Sequence, residues 1–127
     1  MLPAQHRLTR SADFGLCVRR GRRGGSRTIV AHAARPETGS SHGPAGPADP
    51  AKVGLVVSKA VGGAVVRNRV ARRLRHLAAQ RIGELPAGSL IVLRAQPAAA
   101  AADSIELKAD LDHALDSALA KVMRVDG

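Results

Sequence analysis

Residues 53–77 read VGLVVSKAVGGAVVRNRVARRLRHL, and a change of hydrophobic period within them decides the fold. Lys52 to Ser58 (KVGLVVS) is a run rich in β-branched residues and reads as a strand. Gly62-Gly63 interrupts it and opens a long helix that runs to about Ile82, where Gly83 and Pro86 end it. On a helical wheel of about 3.6 residues per turn, Val66, Val70, Leu74, Leu77 and Ala78 fall on one stripe. Asn68, Arg69, Arg72, Arg75 and His76 fall on the opposite side, and Arg67 and Arg73 lie nearer the edges of the stripe. From Lys59 to Arg81 there are seven Lys or Arg residues and no acidic one. A solvated helix face usually mixes signs, because opposite charges one turn apart help and like charges hurt. The uncompensated repulsion is tolerable if a phosphate backbone supplies the missing anions; the plainer alternative is a merely solvated basic face.

The flanks extend the pattern. Ser89 to Arg94 (SLIVLR) is apolar on both faces, as a central strand should be. Upstream, Arg27 to Ala34 reads as a strand centred on Thr28-Ile29-Val30, and Gly21 to Gly25 as a turn or a weak first strand. Ser11 is suited to cap a short helix with Asp13 in its first turn and Arg19 and Arg20 at its end. Phe14, Cys17 and Val18 would face the core, and Gly21 stops the helix. A last helix from about Asp103 to Val122 carries the stripe Leu107, Leu111, Ala114, Leu115, Ala118, Leu119 and Val122. Pro36 to Ala51 lacks large apolar residues and reads as a flexible Pro/Gly-rich loop (36–51) inside a single domain spanning 1–127. The expected fold is an α/β (α+β) two-layer sandwich of order α-β-β-β-α-β-α, with helices on a small mixed sheet.

Composition narrows the partner. The net charge is +10 and the pI near 11.5, which calls for a polyanion: RNA, DNA or an anionic membrane. The only lysines are Lys52, Lys59, Lys108 and Lys121, so arginine dominates. Its planar fork of donors matches phosphate oxygens and stacks on bases, which favours nucleic acid. Trp and Tyr are absent, so a membrane-surface helix would lack its interfacial anchors. Met1 to Arg10 lacks the apolar core of a signal peptide, and no stretch approaches the ~20 apolar residues of a membrane span. A cytoplasmic protein is expected. Phe14 is the sole aromatic residue, so the core must be aliphatic.

The N-terminal arginines Arg7, Arg10, Arg19, Arg20, Arg22, Arg23 and Arg27 have only Asp13 for company. They form a second RNA-binding patch or a plain basic arm. Asn68 could bond RNA, brace an arginine or cap a local turn. Gly62-Gly63 could offer N–H groups to an anion, but no Gly-Lys-Ser/Thr follows, and a loop-to-helix turn explains them better. Asp103, Glu106 and Asp110 lie close to one face of the last helix; they could hold Mg²⁺, though the helix dipole alone accounts for acids there. Cys17 is alone and reads as a core residue, and His6, His32, His42, His76 and His113 show no zinc spacing or triad arrangement. Neither a catalytic side chain nor a protein metal site is expected.

The stretch from Val53 to Leu77 resembles the signature of bacterial ribonuclease P protein subunits. Arg67-Asn68-Arg69 is preceded by Ser58-Lys59, a glycine and Ala64-Val65, and followed by more basic residues. Arg7-Leu8, Asp13-Phe14 and Gly21 fit the family's opening, and SLIVLRAQP, from Ser89 to Pro97, its last strand. The resemblance covers nearly all of the chain outside the Pro36 to Ala51 loop. It implies a ribosomal protein S5 domain 2-like fold whose Arg-Asn-Arg helix makes a left-handed crossover between two parallel strands. It implies removal of the 5′ leader of precursor tRNA, with cleavage performed by a catalytic RNA and Mg²⁺ held mainly by that RNA and the substrate. No obligate protein partner is implied.

By matching positions, Lys59, Arg67, Asn68, Arg69, Arg72 and Arg73 form the RNA-facing set. Charge adds Arg75 on the helix and Arg7, Arg10 and Arg27 near the N-terminus. A leader cleft between the first helix and the sheet is implied for Phe14, with Val18 and His32 where the family often has aromatic rings. Those missing rings forgo base stacking of ~1–3 kcal/mol each, leaving more of the grip to arginine and backbone shape. Ala60, Gly63 and Ala71 also depart from the usual pattern. The competing function is a generic basic RNA-binding, ribosome-associated or nucleoid protein with no role in cleavage.

Overall fold

The computed structural model describes residues 4–9, 11–34 and 50–124. Arg10 and positions 36–49 of the expected loop lie outside them. The main elements are α1 (Ser11–Arg20), β1 (Arg22–Gly25), β2 (Ile29–Ala34), β3 (Lys52–Val56), α2 (Ala64–Arg81), β4 (Leu90–Ala95) and α3 (Ser104–Arg124). The strands form one sheet of order β1-β2-β4-β3. β1/β2 and β2/β4 are antiparallel and β3/β4 are parallel, so the sheet is mixed and α2 is the crossover between the parallel pair. β4 is central, as its two apolar faces require.

Side chains alternate across the pleat and divide the core in two. Ile29, Ala31, Ala33, Val53, Ile91 and Leu93 meet Val70, Leu74, Leu77 and Ala78 of α2 and the apolar stripe of α3. On the opposite face Ala34 and Val92 pack with Leu8, Cys17 and the half-buried Phe14. Helices therefore cover the sheet from both sides, with α2 and α3 on one and α1 on the other, which adds a partial third layer to the expected two. The expected stripe of α3 is buried from Leu107 to Val122, with Leu119 packed at its edge.

α1 corrects one expectation. Cys17 is fully buried, whereas Val18 is 40% exposed. The Cys17 thiol lies 3.3 Å from both the His32 and Leu90 carbonyls, so it points at the sheet and turns its neighbour away. At Gly21 the chain leaves α1 so tightly that a Cβ would sit 2.3 Å from the Cys17 carbonyl oxygen. That turn lets Arg22–Gly25 form a strand. The next strand starts at Ile29, later than Arg27, because Ser26 closes a turn by donating its N–H and hydroxyl to the Ile29 carbonyl at 2.8 and 2.9 Å. The outer edge of β3 receives the N-terminal segment, where the Leu8 N–H donates to the Val53 carbonyl at 2.9 Å.

Asp110 ties α3 to that turn. Its Oδ2 accepts from the Thr28 hydroxyl at 2.6 Å and the Thr28 N–H at 3.2 Å, and Thr28 is fully buried. Asp110→Ala leaves two buried donors without an acceptor, so the folded state should lose about 2–3 kcal/mol. A lower urea midpoint with an unchanged m-value is the expected signature; an unmoved midpoint would show that water replaces the carboxylate.

Candidate nucleic-acid interface

α2 buries Val70, Leu74, Leu77 and Ala78 and packs Val66 at the edge. Asn68, Arg72, Arg75 and His76 are exposed, and Lys59 is exposed in the turn before the helix. Arg69 departs from the wheel. It is half-buried, and its Nη2 donates to the Ala100 carbonyl at 3.2 Å. Arg73 behaves as an edge residue, donating to the Ala102 carbonyl at 3.1 Å. Arg67 is half-buried too, and the Nε atoms of Arg67 and Arg69 are buried without an acceptor. Among the described residues Asn68 bonds no arginine.

The acid-free stretch divides in two. Arg81 is gripped by Glu84, Asp112 and Asp116 at 2.9, 2.9 and 2.5 Å. Burial opposes its charge, but Asp116 and Asp112 outweigh burial and hold the guanidinium above its ordinary range. Among the described residues no carboxylate pairs with Lys59, Arg67, Arg69, Arg72, Arg73 or Arg75. These six cations stay without a carboxylate partner, while the acids of α3 are spent on Arg81, Lys108 and Arg27. Gly63 caps α2, with the Arg67 N–H donating to its carbonyl at 2.9 Å, and Gly62 takes a φ of 155°. That is the loop-to-helix turn.

The N-terminal arginines do not all join this face. Arg27 sits at the β1–β2 turn and pairs with Glu106, whose hydrogen bond raises the guanidinium's pKa. Arg7 is exposed beside β3, in register with Val53.

A second basic surface lies on the α1 side of the sheet. The Phe14 ring rests against Gly54, where a Cβ would come within 2.4 Å of the ring. His32 pairs across the strands with Arg23 and Val92, and Val30 and Val56 pair with Arg94, so these side chains share a face. His32 is only 6% exposed, with Nε2 buried and unpartnered. Burial lowers its pKa, and Arg94 and Arg23 lower it further. Val18 is exposed on α1. Arg94 was not singled out from the sequence; it closes an apolar run, and only strand register places it beside His32.

The acids of α3 have separate tasks. Asp103 accepts from the Glu106 N–H at 2.7 Å, Glu106 pairs with Arg27, and Asp110 holds Thr28. Among the described residues no group of three His, Cys, Asp or Glu is placed to hold a metal ion. Burial pushes the Cys17 thiol up to about 12, so it stays protonated at neutral pH. No described helix is long and apolar enough to cross a membrane.

The family model "Ribonuclease P" matches residues 2–119. The ribonuclease P protein components of Streptomyces bikiniensis and Streptomyces avermitilis are each 53% identical over 119 residues, covering 94% of this chain and 96% of theirs. The solved RNase P protein of Staphylococcus aureus superposes with a TM-score of 0.73 at 25% identity, covering 92% of this chain and 96% of that one. The Thermotoga maritima RNase P protein shares the fold, with a TM-score of 0.64 at 22% identity, covering 83% of this chain and 90% of that one.

Proposed function

Because the chain belongs to the ribonuclease P protein family, and is thus a protein component of a tRNA-processing ribonucleoprotein, we propose how its two basic surfaces share the work. The arginine face of α2 docks on the catalytic RNA, and the α1 side of the sheet holds the 5′ leader of precursor tRNA. The observation that carries this reading is the set of six cations on and before α2 that have no carboxylate partner among the described residues. Holding such a set together costs electrostatic energy that a phosphate backbone returns, with release of condensed counter-ions.

In the leader cleft, Phe14 offers a ring for one base. Stacking of this kind contributes about 1–3 kcal/mol per base. Arg23 and Arg94 supply positive charge, and His32, buried and held towards its neutral form by burial and by these two arginines, takes the place where a second ring would otherwise stack. The chemistry would belong to the RNA subunit, and Mg²⁺ held by that RNA and the substrate would supply the activation of water for phosphodiester cleavage; no residue of this chain is assigned to hold it. The protein contributes phosphate neutralisation, a favoured RNA conformation and grip on the leader. The β3-α2-β4 connection is, in this reading, the left-handed crossover of ribosomal protein S5 domain 2-like folds. The site of action is the cytoplasm.

The test is reconstitution. The protein is mixed with a bacterial ribonuclease P RNA at low Mg²⁺, and leader removal from a precursor tRNA is followed. Stimulation over RNA alone is expected, falling steeply as salt rises. RNA binding without any stimulation would reject the cleavage role and leave a generic RNA-binding module.

A further inference from the structure

The strand β1 stands at one edge of the sheet, with β2 on its inner side. The hairpin settles which of its backbone groups point outward. Ser26 donates its N–H to the Ile29 carbonyl at 2.8 Å, which makes these two a hydrogen-bonded pair. Bonded and non-bonded pairs alternate along an antiparallel ladder. Gly25↔Val30 and Arg23↔His32 are therefore non-bonded pairs, and Gly24↔Ala31 between them is bonded. The N–H and C=O groups of Arg23 and Gly25 thus face away from β2. A separate contact agrees: the Arg23 carbonyl accepts from the Lys121 ammonium of α3 at 2.6 Å. Gly24 lets α3 come near enough for that reach, since a Cβ there would lie 2.2 Å from the Ala114 carbonyl oxygen. Around Gly25 the strand is open, with nothing within 4 Å of a Cβ built on it.

An edge of this shape is self-complementary. About a two-fold axis through Gly24, Arg23 would face Gly25 of a second copy, and the two residues would exchange both of their N–H···O=C bonds. The same pair recurs on the other side of the axis. Each guanidinium would stand opposite a glycine, so no side chain obstructs the approach. These bonds all require the outward carbonyl of Arg23, which Lys121 holds. We propose that Lys121 guards the β1 edge: its ammonium caps the Arg23 carbonyl and keeps β1 from pairing with β1 of a second copy. Charged side chains, lysine above all, are a common protection of edge strands. Here the protection is doubled by symmetry, because a dimer must displace one cap from each copy. The guard acts on the protein alone and stands apart from RNA binding.

The test is the self-association of the free protein, followed by sedimentation over a concentration series in salt high enough to screen the net charge of +10. Lys121→Met removes the cap from an exposed position and keeps a good helix former there. Its dimerisation should be tighter than that of the wild type by about tenfold or more, since two charged hydrogen bonds no longer oppose it. Association this weak does not reach the low protein concentrations of an RNA titration. Lys121→Arg should restore the wild-type behaviour. Lys108→Met, which removes the same charge from the same helix, should leave it unchanged. Amide hydrogen exchange locates the contact. The Arg23 and Gly25 N–H groups should exchange freely in the wild type and become protected in the Lys121→Met dimer, while Gly24, already bonded to β2, stays as it was. Lys121→Met that associates no more than the wild type, or no more than Lys108→Met, would overturn the proposal. So would a dimer that leaves Arg23 and Gly25 unprotected, or a wild-type protein already paired through them.

Discussion

The Arg67→Ala/Arg69→Ala protein will stay folded and lose most of its stimulation of leader removal at low Mg²⁺. Each guanidinium on an RNA phosphate is a charge-assisted hydrogen bond worth about 1.5–3 kcal/mol. Losing both should weaken catalytic RNA binding by about a hundredfold or more, since each 1.4 kcal/mol is about tenfold. The salt slope should fall by about 2. Folding is spared because neither side chain pairs with a carboxylate and both have a buried Nε that lacks an acceptor. Truncation sacrifices a single hydrogen bond, from Arg69 to the Ala100 carbonyl, and relieves two unsatisfied donors. Melting temperature and RNA affinity must therefore separate. If Lys108→Ala/Lys121→Ala, which removes two exposed cations of α3, causes the same loss, binding follows net charge alone and α2 has no special place.

The second large effect is on the fold. Gly24→Ala should destabilise the protein by about 3 kcal/mol or more and lower its melting temperature by about 10 °C or more. A Cβ at Gly24 would lie 2.2 Å from the Ala114 carbonyl oxygen and 2.6 Å from the Ala118 N. Both are backbone atoms of α3, so no rotamer change relieves the clash and the helix itself must lift. That helix buries Leu107, Leu111, Ala114, Leu115, Ala118 and Val122 to 4% exposure or less, and a small lift loosens all of them. Domains are stable by only about 5–15 kcal/mol, so the loss is a large share. Gly25→Ala meets nothing within 4 Å and should stay within about 1 kcal/mol of the parent. Equal melting of the two variants would show that α3 does not approach β1 so closely.

Local features of this molecule were legible in the sequence and relational ones were not. The stripe Val66-Val70-Leu74-Leu77-Ala78 follows from period alone, and SLIVLR announces a central strand because it has no polar face to give to water. The carboxylates that hold Arg81 include Asp112 and Asp116, about 30 residues away along the chain, which no helical wheel can bring near. The same applies to Arg27 and Glu106. Val18 and Arg69 were misjudged for another reason. A wheel gives an angle, but which neighbour stands at that angle depends on how the helix is seated, and Cys17 and Ala100 decide the two cases. The face of the sheet that α1 covers depends on strand register, so Arg94 joins His32 only once β4 is placed. The basic cluster around Arg67-Asn68-Arg69 was legible because it is contiguous in the chain.

The central position of β4 also orders events in time. β2 and β3 do not bond each other; each bonds the strand at Leu90–Ala95. During synthesis the β1–β2 hairpin can close early, but the sheet cannot join until Ala95 has left the ribosome, and its α3 cover arrives later still. Long-range pairings of this kind close slowly, because chain entropy is lost before contacts compensate. Until then β3 has an open edge on the side β4 will occupy, within a nascent chain already carrying the uncompensated arginines of α2. The interval exposed to misassembly thus falls on the nascent chain, and it ends only when β4 has joined β2 to β3.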